Sequence, residues 1–252
     1  MIGWLLRTLD DVPADDAWLS AAERVTLAAL RVPKRAADFR LGRWTARCVL
    51  RAASDAVGAF GAFGAFGAPA DARAEWSVRA RADGSPEPLL DGEPAPVELS
   101  LSHSGGVAMA AVGPIGCRLG CDVELVEPRA EALAELFFTE AEQARIDGLV
   151  GVPAERDARV TLVWSAKESA LKVLRTGLRA DTRSVDVRWR GEPGTDGFAP
   201  FEARIGERSL HGAWRREGGR IVTLAVEPPD ELRVALGDSP ARPIRGNSGA
   251  DP

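Results

Sequence analysis

Little in the 252-residue chain ties it to a secreted or membrane setting. It holds only three cysteines, Cys48, Cys117 and Cys121. An odd number at these spacings is not a disulfide framework. Cys117 and Cys121 lack a second ligand pair for structural zinc, since the whole chain has only two histidines. Reduced, partly buried thiols are therefore expected. No stretch reaches the roughly 20 apolar residues that cross a bilayer. The opening Met1-Ile2-Gly3-Trp4-Leu5-Leu6-Arg7 is too short for a signal core and has no basic start. The cytoplasm is the expected location. An excess of positive charge is also missing. A formal net charge of −5 points to neither nucleic acid nor a membrane surface as partner. A local basic cluster can still hold an anionic ligand.

What is present is an ordinary apolar fraction, 45%, enough to bury a sizeable core. Residues 2–6 read as an opening strand. Ser20 and Glu23 have capping-box spacing and start a helix. Pro33 interrupts it, and a longer helix is expected from Lys34 to Val57, with Phe39, Trp44, Cys48 and Val49 as its apolar positions. Gly-Ala-Phe then repeats three times from Gly58 to Phe66, and 58–69 reads as a low-complexity loop insertion. β-like runs follow at Glu75–Ala80, Val97–His103, Val107–Val112 and Arg118–Glu124, with Gly105-Gly106 as a hairpin signal. Helical pattern returns at Glu131–Phe137, at a second capping box formed by Thr139 and Glu142, and from Pro153 to near Gly177. Four more β-like runs occupy Ser184–Ile221 and beyond, and 228–252 is a Pro-, Gly- and Asp-rich stretch expected to be a flexible tail. This order predicts an α+β protein with two halves of similar make-up, 1–115 and 116–227.

Three clusters carry candidate chemistry. Ser102-His103-Ser104-Gly105-Gly106 ends a β-like run in small polar residues and glycines, which suit an anion. An ordinary polar hairpin would read the same way. Ser102 and His103 point to opposite faces of a strand, so they are not a nucleophile–base pair, and no Gly-x-Ser-x-Gly elbow is present. In Cys121-Asp122-Val123-Glu124 the two acids share one strand face and can bind one hard cation through oxygen. Two solvated acids at a strand end are the plainer reading. In Trp164-Ser165-Ala166-Lys167-Glu168-Ser169-Ala170-Leu171-Lys172, the residues Val160, Trp164, Leu171 and Leu174 form an apolar stripe that Lys167 and Glu168 interrupt. An exposed Glu168–Lys172 pair has the favourable i,i+4 order. The sharper reading makes Glu168 a third metal carboxylate, with Lys167 and Lys172 near phosphate. Arg31, Lys34, Arg35, Arg40, Arg43 and Arg47 crowd the early helix as a basic face.

In chain order, Phe39-x-x-Gly42-Arg43, Ser102-His103-Ser104-Gly105, Gly120-x-Asp122-x-Glu124, Phe137-Phe138-Thr139-x-x-Glu142 and Trp164-Ser165-x-Lys167-Glu168-x-x-x-Lys172 resemble the 4′-phosphopantetheinyl transferases of the long, Sfp-type class. The resemblance implies two similar α/β halves in one monomeric chain, with coenzyme A in the cleft between them. It implies Asp122, Glu124 and Glu168 as ligands of Mg²⁺ or Mn²⁺. It further implies that Ser102, His103, Lys34, Arg35, Arg43, Lys167 and Lys172 contact the coenzyme A phosphates, and that Glu168 and Lys172 are catalytic. The implied reaction moves phosphopantetheine to a serine of an apo acyl- or peptidyl-carrier protein and releases 3′,5′-ADP. The carrier surface is expected near Phe137-Phe138 or the Gly-Ala-Phe loop. One departure stands out. Many members carry Gly-Lys-Pro or Gly-Arg-Pro before the Ser-His pair, where this chain has Gly84-Ser85-Pro86. Weaker coenzyme A binding, or compensation by Arg79 or Arg81, follows from it. Another Mg-dependent phosphoryl-transfer or hydrolytic enzyme, and a non-catalytic scaffold for coenzyme A or a carrier, remain as other readings.

Overall fold

A mixed sheet and an antiparallel sheet, each covered by one long helix, meet along an edge strand from each. The computed structural model describes residues 2–55, 75–129, 131–148, 153–175, 180–194, 197–227 and 236–237. The Gly-Ala-Phe insertion and Gly177 lie outside the described residues, as does all of the expected tail except Leu236–Gly237.

The first sheet contains β1 (Ile2–Thr8), β5 (Val97–Ser104) and β6 (Val107–Pro114), with Leu236–Gly237 (β12) pairing in parallel with Ile2–Gly3. Its order is β12-β1-β6-β5, so β5 is an edge. A small sheet of β2 (Trp76–Ala80), β3 (Pro86–Leu90) and β4 (Glu93–Pro94) stands beside it. The helices beside these sheets are α1 (Ala21–Ala29) and α2 (Pro33–Asp55). Pro33 begins α2 rather than only breaking the chain before it, as a fixed φ and a missing N–H allow at a first helical position. The second sheet is built from β7 (Arg118–Leu125), β8 (Val185–Trp189), β9 (Ala199–Ile205), β10 (Arg208–Glu217) and β11 (Arg220–Glu227). Its order is β7-β11-β10-β9-β8, which makes β7 an edge. The helices α3 (Glu131–Phe137), α4 (Glu140–Asp147) and α5 (Pro153–Val173) accompany it. α5 stops sooner than its pattern suggested, and Arg175 turns into the left-handed region at φ 57°.

Burial follows the alternation of the strands. One face of the first sheet, with Leu5, Leu99, Ala110 and Val112, packs under Ala46, Val49 and Leu50 of α2. The other face carries Trp4, Met109 and Ala111 against Cys121, Val123, Val222 and Leu224 of the second sheet. That sheet's far face, with Ala203, Leu210, Trp214 and Ala225, takes Leu162, Ala166 and Ala170 of α5. The three cysteines are free thiols, and burial pushes that of Cys121 up to about 11. Among the described residues no helix is long and apolar enough to cross a membrane.

Both capping boxes form, and both do more than cap. Glu23 accepts the Ser20 N–H at 2.9 Å, and also the N–H of Val78 in β2 at 3.0 Å, while Arg43 and Arg47 of α2 lie beside it. Glu142 accepts the Thr139 N–H at 2.8 Å and the N–H of Val187 in β8 at 2.7 Å, and pairs with Lys167 of α5 at 2.8 Å. At both places a short helix, a strand and a long helix are thus tied to one buried carboxylate. Burying such a charge requires these partners.

Candidate functional site

The seam between the two edges is polar. Side chains of β5 at every second position bond to β7: the Ser100 hydroxyl accepts the Cys121 N–H at 3.0 Å, Ser102 donates to Asp122 Oδ1 at 2.6 Å, and Ser104 donates to Glu124 Oε2 at 3.0 Å. The strand period of two places these serines on one side and both acids opposite them. The β5–β6 turn uses Gly105 at φ 55° and Gly106 at φ 76°, left-handed geometry that a hairpin of this kind demands. Arg220 of β11 donates to the Gly105 carbonyl at 3.0 Å and fastens the turn to the second sheet.

α5 supplies the third wall. From Ala158 to Val173 only Trp164, Glu168 and Lys172 are less than buried, and their i, i+4, i+8 spacing makes them a single ridge. Trp164 donates to Glu124 Oε1 at 3.3 Å, with its ring packed edge-on against Phe137. Lys172 Nζ donates to Asp122 Oδ1 at 2.9 Å and to the Cys121 carbonyl at 2.8 Å. Gly120 lets the helix come this close. A Cβ there would stand 2.0 Å from the Ser169 carbonyl oxygen. Beneath the ridge, the hydroxyls of Ser165 and Ser169 both meet that of Thr223, which pairs across the ladder with Asp122.

The charges at this ridge are coupled. Burial pushes the Glu168 carboxyl above its ordinary range; Lys172 pulls it back, and Asp122 and Glu124 push it up again. Burial opposes the charge on Lys172, but Asp122, Cys121 and Glu168 outweigh it and hold that ammonium above the ordinary lysine value. The charge on Glu168 is thus opposed by both strand acids and favoured by Lys172.

Two of the acids keep open oxygens. Asp122 Oδ2 and Glu168 Oε1 are buried without a hydrogen-bond partner, which is unusual for carboxylate oxygens and suits a hard cation. Glu124 differs: Oε1 already accepts from Trp164, and Oε2 from Ser104 and Arg129. Among the described residues no three acidic, histidine or cysteine side chains form a ready-made metal cage.

The basic residues expected at phosphate divide into two groups. Lys172 lines the site. His103 is half exposed, with Nδ1 3.9 Å from Asp38, and Asp38 pairs with the exposed Lys34 at 2.7 Å. Arg35 is exposed on α2. Lys167 requires a correction. It is fully buried on the far side of α5, and its ammonium is taken up by Glu142 and by the Thr182 and Val185 carbonyls. It has no donor left for a phosphate. Arg43 is mostly buried too, over the Phe39 ring and 3.5 Å from Glu23. Burial lowers its pKa and Glu23 raises it again. Arg79 and Arg81, the expected substitutes for a basic residue at Ser85, are engaged with Glu87, and Arg81 also with Glu98. Phe138 is 1% exposed and cannot form a docking surface. Sequence reasoning missed Ser100, Arg129, Thr223 and Arg220. Only Ser100 offered a signal, as the next residue along the Ser102–Ser104 alternation.

No curated protein matches the chain. Residues 118–224, which contain β7, the ridge of α5 and the β7 side of the polar seam but not β5, match the family model of the 4′-phosphopantetheinyl transferase superfamily.

Proposed function

We propose that the chain transfers the 4′-phosphopantetheine arm of coenzyme A to a serine of an apo acyl- or peptidyl-carrier protein, with a divalent cation, Mg²⁺ foremost. The observation that carries this reading is the ridge of Glu168 and Lys172 facing Asp122, within the segment that matches the superfamily. Asp122 and Glu168 would hold the cation through their open oxygens. Bound there, it would neutralise charge on the diphosphate of coenzyme A. We also read the buried capping-box glutamates, Glu23 and Glu142, as a trace of duplicated halves, with coenzyme A lying at the seam of β5 and β7.

The protein groups then have distinct tasks. Lys172 places a positive charge beside Asp122, where phosphate oxygens gain negative charge during transfer. Ser102 holds Asp122 in position, and Ser104 holds Glu124. His103 and Lys34, both beside Asp38, would meet outer phosphates. In the transfer, the carrier serine oxygen bonds to the β-phosphorus and the bond from that phosphorus to the 3′,5′-ADP oxygen breaks. The serine proton passes to Glu168, directly or through water; burial raises this carboxyl toward the range in which it can accept one. Positioning and charge neutralisation supply most of the rate in such a site.

Incubation with coenzyme A, Mg²⁺ and a panel of apo-carriers, followed by mass spectrometry, tests the reading. The expected result is a carrier heavier by one phosphopantetheine arm, and no addition when the metal is chelated. If no carrier gains the arm while a known transferase modifies the same panel, the proposal fails.

A further inference from the structure

Arg129 lies just beyond β7, five residues after Glu124. It donates to Glu124 Oε2 at 2.9 Å and reaches toward the Leu125 carbonyl at 3.5 Å. The side chains of this pair are only 17% and 18% exposed, so solvent screens the attraction weakly. The three acids of the site thus differ in kind. Asp122 shares Lys172 but keeps one open oxygen, Glu168 keeps one, and Glu124 is held by an arginine. A cation that recruits Glu124 as a third ligand must break this ion pair. It must also approach a guanidinium of its own sign.

Resting on the reading of the site as a divalent-cation site, we propose that Arg129 sets its metal affinity. The arginine is a built-in competitor that occupies Glu124 until a metal ion displaces it. Without Arg129, Glu124 would lose its ion pair, and among the three acids the described ion pair to Lys172 would remain at Asp122. Their mutual repulsion would be relieved most directly by a bound metal. Arg129 therefore stabilises the metal-free protein and weakens metal binding by the same contact, as linkage requires of a partner that favours one state.

The test is Mn²⁺ titration of the full chain, read by electron paramagnetic resonance of the free ion, for wild type, R129Q and R129K. R129Q is expected to bind Mn²⁺ about tenfold more tightly, the ratio for losing a competing pair of roughly this burial. R129K keeps the charge and is expected near wild type. Thermal melts give a second readout: R129Q should melt lower without metal and show a larger rise on adding Mn²⁺. R183Q, at an exposed pair with Asp181, controls for the change in net charge. Equal or weaker Mn²⁺ binding by a folded R129Q overturns the role of Arg129 while leaving the site standing. Absence of Mn²⁺ binding in wild type removes both.

Discussion

Lys167 and Glu142 form an ion pair of 2.8 Å in which neither side chain has more than 1% exposure. Lys167 is the sequence neighbour of Glu168, yet it points into the core between α4, α5 and β8 while Glu168 faces the seam. Burial drives the Lys167 pKa down and Glu142 drives it back up, so each charge depends on the other. K167A would strand Glu142 in the interior. The expected loss is about 3–5 kcal/mol in urea unfolding, the range for removing one partner of a buried pair. At temperatures where the variant stays folded, its affinity for coenzyme A should be close to that of wild type. A loss under about 1 kcal/mol, the value of a surface pair, or a selective loss of coenzyme A binding, would return Lys167 to the site.

Gly120 is the contact point of β7 with α5. Because an added Cβ would sit 2.0 Å from a backbone oxygen, the strain cannot be relieved by turning a side chain. G120A must push strand and helix apart, which lengthens the Lys172–Asp122 contact. We expect a stability loss of about 1–3 kcal/mol, typical of overpacking. Transfer activity should fall further than that loss explains, since small displacements of a positioned group are costly to the rate. Denaturant unfolding and carrier-modification rates, measured on the same preparation, check both. Normal activity in a destabilised G120A would show that the contact serves packing alone.

How far the sequence revealed this arrangement depended on whether a signal was local. The capping boxes at Ser20 and Thr139 and the alternation of β7 are short-range patterns, and each forms as read. β3 escaped because Pro86 and Pro88 contradict strand composition. The larger error concerned charge. Lys167 looks like a ligand contact because a cation on a helix is expected at solvent or at an anion. Its actual partner, Glu142, lies on another helix and was legible only as a cap. Arg129 and Arg220 stand in no motif at all, and their roles come from the fold bringing β7, β11 and the Gly105 turn together.

The acids themselves predict activity. D122A removes one open oxygen and the partner of Lys172; E168Q removes the other open carboxylate. Each variant is expected to fold and to lose at least about a hundredfold in the transfer rate, the scale for losing one preorganised charged group. Initial rates of carrier modification at saturating magnesium measure it. Near-normal turnover in either variant would mean that the reaction runs elsewhere on the molecule.

Glu168 also makes a prediction about stability that needs no substrate. Its folded pKa lies above the ordinary 4.5, chiefly through burial. Below about pH 4.5 the carboxyl is protonated in both folded and unfolded chains, and it contributes no difference. As pH rises past that value, the unfolded chain releases the proton while the folded chain still holds it. The folded state then binds more protons, so this group makes stability fall with rising pH until the folded pKa is passed, after which the cost stays constant. A glutamine cannot titrate. Metal-free E168Q should therefore match wild type in urea unfolding at low pH and become the more stable of the two as pH rises to neutrality. A gap that stays constant with pH, or an E168Q that is less stable at neutral pH, would mean that burial does not hold the Glu168 pKa above its ordinary value in the folded chain.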